Sequence, residues 1–262
     1  MMDAQTIQYL GPKTEVEIGS LTLSTVSGMT VWSTRNPTAD TCEIVLPDLP
    51  GDLAKQVEKD ALLVVRHGYK GFDLDTIFTG TVMDVRPQKK LTVFGADSMR
   101  NLFETKLTIT FQDEAPASIV RKIVGDLDID ASRVPDIEAT LDRLPLYRNT
   151  VWQAVKMIND RLGLGYDWFI DEDGAFRFEP RDTQQEPSFS FAYGVNVLDM
   201  DLRDSGRSTL LSVGMPVRHS SVIEVTDRNG DTGRFYVTGV KHFLSSGGGS
   251  RIFLHMERID ES

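Results

Sequence analysis

The sequence predicts an α+β protein, mainly β, in which one β-unit is used twice around an inserted block of two helices and a hairpin. Three observations carry that class. Short strand-like runs divided by Gly and Pro turns fill both ends of the chain, helical and hairpin patterns occupy the middle, and the β pattern before the middle recurs after it. The first copy reads Leu62-Leu63-Val64-Val65, then Ile77-Phe78-Thr79-Gly80-Thr81-Val82, then Leu91-Thr92-Val93-Phe94. The second reads Ser221-Val222-Ile223-Glu224, then Tyr236-Val237-Thr238-Gly239-Val240, then Arg251-Ile252-Phe253-Leu254. Thr79-Gly80 and Thr238-Gly239 stand at the centres of the copies, and both glycines are expected to mark close backbone approach in a strand.

Ahead of the first copy, Val16 to Ile18, Leu21 to Leu23, Met29 to Trp32 and Cys42 to Leu46 read as strands, with turns at Gly19-Ser20, Ser27-Gly28 and Asn36-Pro37. Leu53 to Asp60 reads as a short turn or helix. So many short strands suggest a small barrel or sandwich.

The middle changes period. A helix is expected to open at Asp113-Glu114-Ala115-Pro116, where acids and proline suit free N–H groups, and to end at Gly125. Ile119, Val120, Ile123 and Val124 form its apolar face. A second helix opens at Thr150, whose spacing to Gln153 fits a capping box, buries Val151, Val155, Ile158 and Leu162, and stops at Gly163. Tyr166, Trp168 and Ile170 alternate, Asp173-Gly174 turns, and Phe176 and Phe178 return as a hairpin. Ile119, Ile123, Trp152, Val155, Trp168 and Phe176 are the expected core of this block, while Trp32 and Tyr69 are less constrained and are candidates to face a partner. From Ser188 the chain is β again, and Ser245 to Ser250 is expected to form a mobile hairpin tip. The expected divisions are a first β domain over 1–109, the inserted block over 110–187 and a second β domain over 188–262.

Composition excludes several classes. With 40% hydrophobic and 26% charged residues the chain is an ordinary globular one, and no run approaches the length of a membrane span. Met1 to Leu10 lacks a secretory layout. A single cysteine, Cys42, excludes an internal disulfide and predicts a buried thiol in a reducing compartment. A net charge of −11 opposes nucleic-acid affinity and suits either solubility or a passage along which DNA slides without sticking.

Candidate chemistry is thin. Asp227 to Asp231 starts like a calcium loop, yet Thr232 and Thr238 stand where an EF-hand needs Gly and Glu, so a hairpin turn is expected. Asp126, Asp128 and Asp130 alternate and are expected to form a solvated face. His67, His219, His242 and His255 lack metal spacing, and no nucleophile elbow, P-loop or dinucleotide fingerprint occurs. Carboxylates are abundant but no pair is singled out. No catalytic residue, cofactor or metal is expected.

The order of elements resembles the baseplate hub proteins of phage tails, which include the late-control D proteins and the N-terminal hub part of type VI secretion spike proteins. The resembling residues begin at Ile77 to Val82, run through Gly95 to Leu102 and Phe111 to Val120, resume at Asn149 to Gln153 and Gly163 to Phe169, and close at Asp173 to Phe178. The resemblance implies two tail-tube-like β-barrels around the α/β block. It also implies a homotrimeric ring of pseudo-six-fold symmetry in the virion tail or baseplate, assembled in the host cytoplasm. Its implied partners are the tail tube protein, a central spike, the tape-measure protein and other baseplate proteins, with DNA passing through the lumen unbound and no membrane contact. The chain ends at Ser262 without a lysozyme or spike extension, which implies a separate spike polypeptide. The alternatives are a hexameric distal-tail adaptor with one barrel per chain, or a tail-associated module that binds or hydrolyses peptidoglycan.

Overall fold

The computed structural model describes residues 11–259 apart from 36–37, 48–50, 71–72, 204–205 and 246–248. The segment Met1 to Leu10, the turn at Asn36-Pro37 and most of the tip at Ser245 to Ser250 therefore lie outside the described residues.

The amino-terminal runs form β1 (Pro12–Ile18), β2 (Leu21–Leu23), β3 (Gly28–Thr34) and β4 (Thr41–Leu46). The first repeated unit is β5 (Leu62–Tyr69), β6 (Asp75–Pro87) and β7 (Leu91–Ala96). The inserted block contains α1 (Met99–Glu104), β8 (Lys106–Glu114), α2 (Pro116–Gly125), β9 (Leu141–Thr150), α3 (Val151–Leu162), β10 (Asp167–Ile170) and β11 (Phe176–Glu179). The second half is β12 (Phe189–Ala192), β13 (Val197–Asp201), β14 (Arg207–Val213), β15 (Val222–Thr226), β16 (Thr232–Ser245) and β17 (Ser250–Arg258).

Apart from the two hairpins of the block, these strands join one 13-stranded sheet, antiparallel except for β12 against β15. Its order contains two matching series, which differ in sense only at the outermost pair, β1 antiparallel to β5 and β12 parallel to β15. The first half runs β3-β4-β7-β6-β5-β1 and the second β13-β14-β17-β16-β15-β12. Because β16 also pairs with β3, the halves are continuous rather than separate. No ladder among the described residues joins the outer strands of either half, so the pairing is that of an open sheet.

The repeat extends to single residues. The long strands β6 and β16 each pair with the preceding strand by their first half and carry a bulge against the following one, at Met83 and at Thr238. One residue before each bulge stands a valine. Val82 accepts from Asp60 N–H (2.8 Å) and donates to Ala61 (2.9 Å); Val237 accepts from Ser220 N–H (2.8 Å) and donates to Ser221 (2.9 Å). Asp60 and Ser220 share a left-handed backbone, at φ 64° and 68°. The expected glycine-for-glycine match shifts accordingly: with the bulges superposed, Gly80 matches Phe235 and Gly239 matches Asp84.

Three apolar cores result: one within β1–β7, one within the block, one within β12–β17. In the block, Ile119, Ile123, Val155, Trp168 and Phe176 lie in a single buried cluster with Trp152 packed against it. The Trp152 and Trp168 rings are 6.1 Å apart. Thr150 and Gln153 make both capping-box bonds, and Gly163 ends α3 at φ 61°. Two local expectations need correction. The α2 helix begins at Pro116 behind Ala115, with Asp113 and Glu114 ending β8, because the hairpin with β9 claims their backbone. Gly125 is the last helical residue and the left-handed position falls later, at Asp128.

Candidate functional site

The place where the two halves and the block meet is built around the end of β3. Asp40 Oδ1 accepts from Thr34 N–H (2.9 Å) and so fixes the chain as it leaves the strand. The bulge at Thr238 turns its carbonyl toward β3, where it accepts from Arg35 N–H (3.0 Å) and from Thr34 Oγ1 (3.2 Å). Thr79 acts elsewhere. Its hydroxyl donates to Glu172 O (2.9 Å) and pins the tip of the β10–β11 hairpin onto the first half.

Arg35 ties all three cores. Its guanidinium is 2% exposed and donates to Asp167 Oδ2 (3.0 Å) and Pro180 O (2.9 Å) of the block and to Ser220 Oγ (2.7 Å) of the second half. It also lies 4.9 Å from the centre of the Phe169 ring and 5.7 Å from that of Tyr236. A planar fork with several donors can serve this many acceptors at once, which a lysine cannot. No pattern around Arg35 in the sequence marks it, since its partners lie far along the chain.

Beside Arg35 is a cavity of about 260 Å³ lined by Asp40, Asp97, His219 and His242 among others. Burial pushes the Asp40 carboxyl up to about 7. Asp97 is also raised, first by burial and then by the neighbouring Asp40. Burial lowers both histidines to about 3, His219 with help from Arg35 and Arg218. His219 Nδ1 lies 2.8 Å from Ser220 Oγ, the outline of a base beside a nucleophile. The chemistry does not follow: Arg35 already donates to that hydroxyl, and an imidazole held neutral to about pH 3 is a poor proton acceptor. The Ser220 hydroxyl instead serves the junction as an acceptor for Arg35.

The remaining sequence candidates are dispersed. Asp227 Oδ1 accepts from Asn229 and Asp231 N–H within a tight turn that has Gly230 at φ 91°. Asp126 caps α2, Asp128 is left-handed and Asp130 accepts from Ser132 N–H, so the three do not share an extended face. No group of three potential ligands could hold a metal ion among the described residues. Cys42 is buried, and burial pushes its thiol up. Tyr69, a candidate to face a partner, is instead 4% exposed and packs edge-on to His67, because β5 lies inside the sheet. Trp32 is half-buried against His255. His67 bridges the halves, with Nδ1 3.1 Å from Thr14 Oγ1 and Nε2 2.7 Å from Ser250 Oγ.

Of the two predicted close-approach glycines only Gly80 is one. A Cβ there would lie 2.3 Å from Ala96 O, whereas one on Gly239 would meet nothing nearer than 3.6 Å. The difference follows from the register, which sets the two at different distances from the bulge.

No protein-family model matches the chain, and no curated protein does. Solved structures do. A tail protein from Neisseria meningitidis superposes with a TM-score of 0.75 at 16% identity, covering 94% of this chain and 96% of the other. The 43 kDa tail protein of prophage MuSo2 from Shewanella oneidensis gives 0.76 at 11%, covering 95% and 97%. An Escherichia coli component of the type VI secretion system, described as structurally similar to the T4 tail proteins gp27 and gp5, gives 0.74 at 12%, covering 94% and 77%. The chain shares the fold of phage tail and type VI secretion proteins.

Proposed function

We propose that this chain is a structural hub of a phage-type tail: a homotrimeric ring joining a hexameric tail tube to a trimeric spike. The observation that carries the reading is the strand order used twice in one sheet, down to a matching bulge and a left-handed residue at the matching place. Three such chains present six similar β-units, the number a six-fold tube requires, and repeating heterologous contacts close the ring. In this reading each half serves as a tube-like unit and the block braces one against the other through Arg35. The tape-measure protein and other baseplate proteins meet the ring, and DNA passes an acidic lumen without adhering, consistent with the net charge of −11. The place of action is the virion tail, after assembly in the host cytoplasm.

A hexameric adaptor needs only one unit per chain, which the doubled series disfavours. Native mass spectrometry of the purified protein tests the reading: a trimer is expected, and a hexamer sinks it in favour of the adaptor. Clearing of purified cell walls by the protein alone would support the hydrolase alternative instead.

A further inference from the structure

The internal joint between the halves has a counterpart that no strand fills among the described residues. On one side of β16 lies β17; on the other lies β15 as far as Tyr236 and then β3, from Gly239 to Ser245. The strand β6 has β7 on one side and β5 on the other as far as Thr81. Beyond Val82 no strand occupies that lane among the described residues. In the repeated series the counterpart of β3 is β13, which ends the sheet and, among the described residues, has only β14 paired along it and a single bridge between Tyr193 and Val197.

We propose that β13 of a second copy of this chain docks antiparallel in the bare lane of β6, reproducing between chains the joint that β3 and β16 make within one. This rests on the ring reading above and names its interface. Superposing the bulges and the β3–β4 and β13–β14 ladders sets the register: Arg86 faces Arg203, Pro87 faces Leu202, Gln88 faces Asp201 and Lys90 faces Asp199 of the second copy. Charge agrees with that pairing. Residues 86–90 are all exposed and bring Arg86, Lys89 and Lys90, while β13 brings exposed Asp199 and Asp201. The facing arginines are each held by a carboxylate of their own segment, Arg86 by Asp84 (2.8 Å) and Arg203 by Asp201 (2.9 Å). Backbone parity agrees too. Gln88 N–H donates to Lys90 O across the hairpin, so alternation turns Val85 and Pro87 outward. Pro87 there offers a carbonyl but no N–H, a common guard on an edge awaiting one partner only. Leu198, 48% exposed beside this edge, gains cover.

The test is a disulfide across the joint. The doubly substituted chain Arg86→Cys with Arg203→Cys is oxidised gently and run without reductant; buried Cys42 gives no background. Covalent dimers and trimers are expected, and none from Arg86→Cys with Leu198→Cys, which is out of register. Independently, Lys89→Glu with Lys90→Glu is expected to weaken assembly roughly tenfold, restored by adding Asp199→Lys with Asp201→Lys. Native trimers without the in-register cross-link, or with equal cross-linking out of register, overturn this joint and leave the ring standing. A chain that stays monomeric without cross-links overturns both, and a ladder running past three chains overturns three-fold closure alone.

Discussion

The strands β6 and β16 occupy the same place in the two halves, each accept from a left-handed residue, Asp60 or Ser220, and carry a matching bulge, yet their surroundings differ. The lane beside distal β16 is filled by β3 and locked by Arg35 and Thr34 on the Thr238 carbonyl. Beside distal β6 no strand lies in that lane among the described residues. Equivalent backbones thus acquire different side-chain demands: β16 tolerates an uncrowded Gly239 where β6 has Asp84, and β6 needs Gly80 where β16 has Phe235. A duplicated fold preserves ladders and bulges better than it preserves which residue sits where.

The largest expected effect strikes the filled joint, which alone has an Arg35. Replacing Arg35 by Ala removes a buried guanidinium that part-buried acceptors from the block and the second half share, at an expected cost of about 3–5 kcal/mol from lost hydrogen bonds and packing. Urea unfolding measures it; a loss below about 1 kcal/mol would mean that the joint is held by strand pairing alone. Arg35→Lys is expected to recover little, since one ammonium cannot reach all the acceptors.

The two glycines divide the halves next. Gly80→Ala drives a methyl into the Ala96 carbonyl and is expected to cost about 3 kcal/mol by overpacking. Gly239→Ala has room and is expected to stay within about 1 kcal/mol of the parent in the same unfolding experiment. Equal losses at both would restore the glycine-for-glycine alignment that the registers oppose.

A pH series isolates the junction. Folded Asp40 keeps its proton up to about 7, well above the ordinary carboxylate range, so the folded state binds more protons across that window and stability falls as pH rises through it. His219 and His242 act in the opposite sense: neutral in the folded protein down to about 3, they lower stability as pH falls from the ordinary imidazole range toward 3. Asp40→Asn is therefore expected to gain on the parent progressively from pH 4 to pH 7 while leaving the histidine slope in place. A constant difference across thermal melts in that range would show that Asp40 is ionised throughout.

The smallest effect compares the matched left-handed residues. Asp60→Gly is expected to be neutral or to stabilise by about 0.5 kcal/mol, as glycine adopts that backbone freely. Ser220→Gly is expected to destabilise instead, because its hydroxyl serves Arg35. The same sign at both positions, read from urea midpoints, would count against that role.

Much of this was legible along the chain. Short runs between turn residues located β1 to β4, alternation located the hairpin of β10 and β11, and Thr150, Gln153 and Gly163 bounded α3, because these signals are local and each residue acts on backbone within four positions. The recurrence of the β-unit was legible for the same reason. The hairpin of β8 with β9 was not: β9 holds Pro145 and its buried positions are irregularly spaced, so no clean period marks it. Nor was the junction.

Periodicity and capping are written within short windows, and they suffice to specify the pair of β-units, the inserted block and its core. Folding in three dimensions was needed to set the residue register between the units, the crowding at Gly80 but not Gly239, and the fusion of both halves through β3 and β16. Those features depend on residues such as Thr34 and Thr238, or Arg35 and Asp167, that meet only after the intervening chain has folded between them.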